Sequence, residues 1–132
     1  MTGKTTVGVI GCGYWGPNLL RNFAENESAE LRWLCDLDQN RLHTLGRRYP
    51  AVKTTTDYKQ LLADPQVSAV AIATPVWTHF SFAREALEAG KHVLVEKPLG
   101  ASSEEAAEGL RAFEQKRAPD FARFRAHASE PI

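Results

Sequence analysis

What this chain lacks narrows it first. It has only two cysteines, Cys12 and Cys35, among 132 residues. That excludes a disulfide scaffold, and the pair reads as free thiols of a reducing compartment. Its four histidines are scattered, and no Cys/His cluster has the spacing of a metal site. Neither sign of charge is in excess: 16 Lys and Arg stand against 16 Asp and Glu. No basic run concentrates the cations, which argues against nucleic acid and anionic membrane as partners. No apolar stretch approaches the roughly 20 residues of a membrane span. The amino terminus lacks the pattern of a secretory signal, and there is no internal repeat or low-complexity linker. These absences leave a cytoplasmic protein with one domain and a real core.

What is present begins with an apolar strand, Val7, Val9 and Ile10, that runs straight into Gly11-Cys12-Gly13-Tyr14-Trp15-Gly16. The spacing is G-x-G-x-x-G, between a strand and a helix. Gly11 lets the chain turn off the strand, and Gly13, with no Cβ, lets a pyrophosphate approach the backbone. Gly16 lets the helix pack closely on the sheet. The first-turn N–H groups of that helix then face the phosphates. Asp36 lies 20 residues beyond Gly16, at the end of a second apolar run, where a carboxylate accepts hydrogen bonds from an adenosine ribose. Together these predict a dinucleotide site. Leu37 and Asp38 follow the acid, so the cation expected beside a 2′-phosphate is absent next door. NAD is therefore expected over NADP, with Arg41, a helical turn away, as the one reservation. Cys12 lies in the phosphate loop, but a small side chain that fits is favoured there over a redox role.

The rest of the chain alternates strands with helices. After Thr5–Ile10 comes a helix with Pro17 in its first turn, where a missing N–H does no harm. It carries Gly16, Leu19, Leu20 and Phe23 on one face. Leu31–Cys35 reads as a second strand. Asp38 reads as the cap of a helix with Leu42, Leu45 and Tyr49 in a stripe, closed by Pro50. A short strand at Val52–Thr54 precedes a brief helix bearing Tyr58, Leu61 and Leu62, capped by Thr56 or Asp57 and ended by Asp64-Pro65. Ala69–Ala73 is a buried strand. The next helix is expected to be capped by Thr78, to turn Phe80, Ala83 and Leu87 inward, and to end at Gly90 in the C′ position. His92–Glu96 is the fifth strand. Ser102 and Glu105 form a capping box before a helix, Ser103–Phe113, that buries Ala106, Leu110 and Phe113. Five such alternations predict an α/β fold: a Rossmann-type, doubly wound parallel sheet of order 3-2-1-4-5. Residues 1–115 form the expected dinucleotide-binding domain. Residues 116–132 lack a clear period and read as an irregular or partly helical tail.

A second polar stretch, Glu96-Lys97-Pro98, stands at a strand tip. It faces the crevice outside the carboxyl ends of the strands, where open α/β sheets bind ligands. Lys97 there reads either as a hydrogen-bond donor to a substrate hydroxyl or carbonyl or as a solvated surface lysine. Three blocks now stand in order: VGVIGCGYWGPNLLRNF (Val7 to Phe23), CDLDQNRL (Cys35 to Leu42) and AIATPVWTHFSFAREALEAGKHVLVEKPL (Ala71 to Leu99). With SSEEAAE (Ser102 to Glu108), they resemble the amino-terminal domain of the Gfo/Idh/MocA family, named for glucose–fructose oxidoreductase and inositol dehydrogenase. The resemblance covers about Val7 to Glu108.

The resemblance implies NAD(P)-dependent hydride transfer to or from a sugar or polyol. Gly11, Gly13 and Gly16 match the family's dinucleotide loop and Asp36 its ribose acid. Thr74, Pro75 and His79 match the loop beside the cofactor. Lys97 matches the lysine held to be catalytic, with Glu96 beside it and a cis Lys97-Pro98 peptide. His79 reads equally as a cofactor contact and as a residue bonding backbone groups at a helix start. Tyr14 and Trp15 either pack on the dinucleotide or shield the sheet edge. For Trp77, cover of apolar surface is slightly favoured over flanking the cofactor. The family continues into a second domain that supplies most of the substrate pocket and an aspartate and histidine working with the lysine. A chain of 132 residues is short for that, which suggests a truncated or frame-shifted form. It leaves three readings: the cofactor half of an oxidoreductase, a stand-alone NAD-binding module, or a non-catalytic remnant. With the family's next strand absent, Val93–Val95 is expected at or beside an uncovered sheet edge, a surface that favours a homo-oligomer.

Overall fold

The computed structural model describes residues 3–13 and 16–95, together with Glu104, Ala107, Glu108, Arg111 and Gln115. Five strands alternate with four helices: β1 (Thr5–Ile10), α1 (Gly16–Glu25), β2 (Ala29–Cys35), α2 (Gln39–Arg48), β3 (Lys53–Thr55), α3 (Tyr58–Ala63), β4 (Ala69–Ile72), α4 (His79–Glu88) and β5 (His92–Val95). Every strand pair is parallel, and the order is β3-β2-β1-β4-β5, as the alternation predicts. β1 is central, so both its faces are covered. Val7 and Val9 join Leu20, Leu34, Leu42 and Leu45 in one core. Ile10 joins Leu61, Val67, Val70, Ile72, Ala83 and Ala86 in the other.

Local signals set the helix ends. The Asp38 side chain accepts hydrogen bonds from the N–H groups of Asn40 and Arg41, and Asp57, rather than Thr56, caps α3 through the N–H of Lys59. At the end of α4, Gly90 has φ +80°, and two bonds close a Schellman turn, Gly90 N–H to the Leu87 carbonyl and Lys91 N–H to the Ala86 carbonyl. Two expectations need correction here. In α4 the inward residue is Ala86, fully buried, while Leu87 is half-buried. β3 runs Lys53–Thr55, one residue later than expected, because its partners are Trp33, Leu34 and Cys35 of β2.

Register holds a less local feature. β1 pairs Val7 with Leu31 and then Gly8 with Trp33, so Arg32 is an extra residue in β2. Such a bulge interrupts the two-residue alternation and re-aims side chains. Leu31 and Leu34 therefore share one core while Trp33 and Cys35 face the other. Arg32 and Trp33 both reach the same carboxylate oxygen. Asp64 Oδ2 accepts from Arg32 Nε at 2.6 Å and from Trp33 Nε1 at 2.7 Å, while Oδ1 accepts from the Gln66 N–H at 2.9 Å. Lys91 Nζ donates to the carbonyls of Asp64 and Val67 beside it. The α3–β4 turn is thus tied to β2 and to the start of β5.

The Arg32 hydrogen bond, then those from Trp33 and the Gln66 N–H, hold the Asp64 carboxyl well below the usual carboxylate range. Asp64→Ala removes three bonds to a charged group and is expected to cost about 2–3 kcal/mol at neutral pH, read by chemical denaturation. A depressed folded value means that the stabilisation is complete above the unfolded value, about 3.9, and fades as pH falls below it. The gap between the two proteins is therefore expected to narrow from about pH 5 toward about pH 2.

β5 lies at the sheet edge among the described strands, with Leu94 exposed. Glu104, Ala107, Glu108 and Arg111 are helical, and Glu108 pairs with Arg111 at 3.4 Å. Ser102, Glu105, Ala106, Leu110, Phe113 and the tail 116–132 lie outside the described residues. No helix among the described residues is long and apolar enough to cross a membrane.

Candidate cofactor-binding site

The carboxyl ends of β1, β2 and β4 meet at the glycine loop, and backbone bonds fasten it there. The Gly11 N–H donates to the Cys35 carbonyl at 2.7 Å, and the Ala73 N–H to the Ile10 carbonyl at 2.8 Å. Gly11 has φ +101°, and a Cβ on it would lie 2.8 Å from the backbone carbon and oxygen of Ala73. Only glycine makes that turn without strain. A Cβ on Gly16 would lie 2.6 Å from the Gly11 carbonyl oxygen. The close approach that needs Gly16 is thus to the loop itself rather than to the sheet at large. Gly13 is different. Around the position of its missing Cβ, the nearest atom among the described residues beyond its chain neighbours is Arg41 Nη1, 3.9 Å away. Among the described residues the loop has open space over Gly13, and these residues fit a pyrophosphate.

Asp36 fixes the same loop from the tip of β2. Its Oδ2 accepts from the Cys12 N–H at 2.7 Å and its Oδ1 from the Asp38 N–H at 2.8 Å. The carboxylate is therefore pinned between the glycine loop and the start of α2. Each oxygen keeps a further lone pair for another donor.

Both cysteines are buried and free. The Cys12 thiol lies 4.0 Å from the Cys35 carbonyl. Burial, then the charge of Asp36, pushes the Cys35 thiol up to about 12 and the Cys12 thiol higher still. At neutral pH both remain protonated and poorly nucleophilic, which agrees with the space-filling reading of Cys12.

After β4 the chain runs through Thr74 and Pro75 into a 3₁₀ turn, Val76–Thr78. Thr78 stands at the N-cap position but makes no capping bond, a correction. Its hydroxyl instead donates to the Pro75 carbonyl at 2.6 Å and so accepts from the Thr74 hydroxyl at 2.5 Å. The extra turn carries Thr78 out of reach of the helix N–H groups. His79 is buried, and its Nε2 lies 2.7 Å from the Thr74 carbonyl oxygen. These bonds make the 74–79 segment a self-braced rim. Trp77 on that rim is 49% exposed.

The structure brings together Gly11, Gly13, Gly16 and Asp36, with Thr74, Pro75 and His79 following β4 at the same end of the sheet. Tyr14, Trp15, Glu96, Lys97 and the Lys97-Pro98 peptide lie outside the described residues. A cleft of about 590 Å³ opens beside Gly13, lined by Cys12, Pro17, Asn40, Arg41, Thr44 and Leu45. Asn40 and Thr44 escaped the reading of the sequence. Their i, i+4 spacing, flanking the Leu42/Leu45 stripe, was the available signal.

Comparison with known proteins places this geometry. Residues 5–121 match the model of an oxidoreductase family with an NAD-binding Rossmann fold, Gfo/Idh/MocA. The uncharacterized oxidoreductase YrbE of Bacillus subtilis (strain 168) is 31% identical over 112 residues, 85% of this chain and 33% of that protein. The structure of GenD2 from gentamicin A biosynthesis, in complex with NAD, superposes with a TM-score of 0.79 at 33% identity. It covers 89% of this chain and 34% of that one. The 3-ketoreductase KijD10 of Actinomadura kijaniata, in complex with NADP and TDP-benzene, gives a TM-score of 0.76 at 30% identity, over 86% and 35%. The chain thus spans about a third of the length of these relatives. With the glycine loop, the pinned acid and the parallel sheet in place, the chain belongs to the Gfo/Idh/MocA oxidoreductase family, as its NAD-binding Rossmann domain.

Proposed function

We propose that this chain binds NAD, in preference to NADP, as the cofactor half of an oxidoreductase acting on a sugar or polyol. The observation that carries the reading is the open space over Gly13 beside the fixed carboxylate of Asp36. Gly11 and Gly16 set the loop, Gly13 admits the pyrophosphate, and Asp36 takes the ribose diol and repels a 2′-phosphate. Thr74, Pro75 and His79 border the path of the dinucleotide, and Tyr14, Trp15 and Glu96 are assigned to its surroundings by the family resemblance. Lys97 is assigned, on the same resemblance, to hydrogen-bond the reacting hydroxyl or carbonyl. The bound nicotinamide supplies the hydride chemistry; the residues of the chain bind and orient it.

A second reading is a module that binds NAD without chemistry. Proton transfer needs a positioned base and walls that hold a polyol and exclude water. The family resemblance puts those in a second domain. The 132 residues by themselves are therefore expected to bind NAD and not to turn over a panel of sugars and inositols. Calorimetric titration with NAD, alongside the NADH assay, separates the readings. Turnover at about 1 s⁻¹ or more would overturn the expectation of binding alone, and no binding of either dinucleotide would overturn the function. Asp36→Ala is expected to weaken NAD by about tenfold or more, from loss of charged hydrogen bonds, and to narrow the gap between NAD and NADP.

A further inference from the structure

We infer that Thr78 is a positioning residue for the dinucleotide site. Its hydroxyl turns the Thr74 side chain so that a methyl group lies on the Gly11 turn and an oxygen with no proton to give is left for the ligand. The inference rests on the dinucleotide reading above. Thr78 stands at the N-cap position of α4 and makes no capping bond, so it forgoes the stabilisation that a threonine usually supplies there. The 3₁₀ turn Val76–Thr78 instead leaves its hydroxyl 2.5 Å from the Thr74 hydroxyl and 2.6 Å from the Pro75 carbonyl oxygen. A carbonyl only accepts, and a hydroxyl has one proton. The Thr78 proton therefore goes to Pro75, and the Thr74 proton goes to Thr78.

Thr74 is then held at several points. Its carbonyl oxygen lies 2.7 Å from Nε2 of the buried His79. Its hydroxyl proton is taken by Thr78. Its Cγ2 lies 2.9 Å from the position a Gly11 Cβ would take, so the methyl closes over the turn that opens the glycine loop. A threonine side chain has only three staggered positions. Rotation into either of the others would break the hydroxyl pair and move the methyl off Gly11. What Thr74 still offers is lone-pair density on its hydroxyl oxygen. That suits a donor, such as a hydroxyl of the bound dinucleotide, and does not suit its phosphate oxygens. Thr78 thus acts through Thr74, from the start of α4, on the loop that follows β1.

The test is a double-mutant cycle on NAD affinity. Calorimetry on the full chain compares wild type, Thr74→Val, Thr78→Val, the double variant and Thr78→Ser, with a melting temperature for each. Valine keeps the shape of threonine and removes the hydroxyl. Each single valine variant is expected to weaken NAD by about three- to tenfold, the worth of one neutral hydrogen bond. The double variant should lie within about twofold of the weaker single variant, because both changes break the same chain of bonds. Thr78→Ser keeps the hydroxyl and should stay within about twofold of wild type. Both threonines are half-buried, so melting temperature should fall by less than about 8 °C in any single variant. Losses that multiply in the double variant would mean that Thr78 does not act through Thr74, and would overturn the inference. Unchanged NAD affinity in Thr78→Val, with or without a lower melting temperature, would overturn it as well. Failure of wild type to bind either NAD or NADP would instead remove the dinucleotide reading itself.

Discussion

Gly13→Val is expected to abolish dinucleotide binding and to leave the melting temperature within a few degrees of wild type. The position has no positive φ that demands glycine, and among the described residues beyond its chain neighbours only the tip of Arg41 comes near a Cβ, at 3.9 Å. A valine side chain is therefore accommodated by the protein. In the proposed site it would stand where the pyrophosphate approaches the bare backbone. Binding is expected to fall by about a hundredfold or more, beyond the reach of ordinary titration. The check is paired: thermal denaturation for the fold, calorimetry for the cofactor. A parallel loss of stability and affinity would make Gly13 a folding residue first.

Gly11→Val, two residues earlier, is expected to do the reverse in order of cause. Its φ of +101° strains any residue with a side chain, and its Cβ would meet the Ala73 carbonyl at 2.8 Å. Ala73 cannot retreat, because its N–H is bonded to the Ile10 carbonyl at 2.8 Å. Strained backbone and overpacking each cost about 1–3 kcal/mol. The sum is a large part of the stability of a single domain. Chemical denaturation should show a loss of about 2–5 kcal/mol, and cofactor affinity should fall because the loop no longer forms. Near-wild-type stability would mean that the turn can be made another way.

Much of this was legible because its causes are local. Asp38 and Asp57 bond N–H groups two or three residues on. Gly90 closes α4 with bonds to carbonyls within five residues. The glycine loop needs only its own backbone geometry. Even the strand order follows, since right-handed crossovers and near-continuous apolar strands leave few ways to wind such a chain. Thr78 misled for the same reason in reverse. A threonine before a helix reads as a cap, but the carbonyl of Pro75 offered its hydroxyl a nearer partner.

The amino-acid sequence by itself determined the strand–helix alternation, the caps at Asp38 and Asp57, the glycine loop and the acid beside it. Each depends on residues close together or on a period within one element. Only the tertiary structure decided three other matters. The bulge at Arg32 lets two consecutive residues of β2 share Asp64. Gly8 is required because α3 presses Leu61 onto β1, to within 2.7 Å of a would-be Cβ. Arg41 comes to rest over Gly13. All three join residues 24 or more apart in the chain. Their outcome depends on how helices settle on a twisted sheet, and packing of that kind leaves no periodic mark in the sequence.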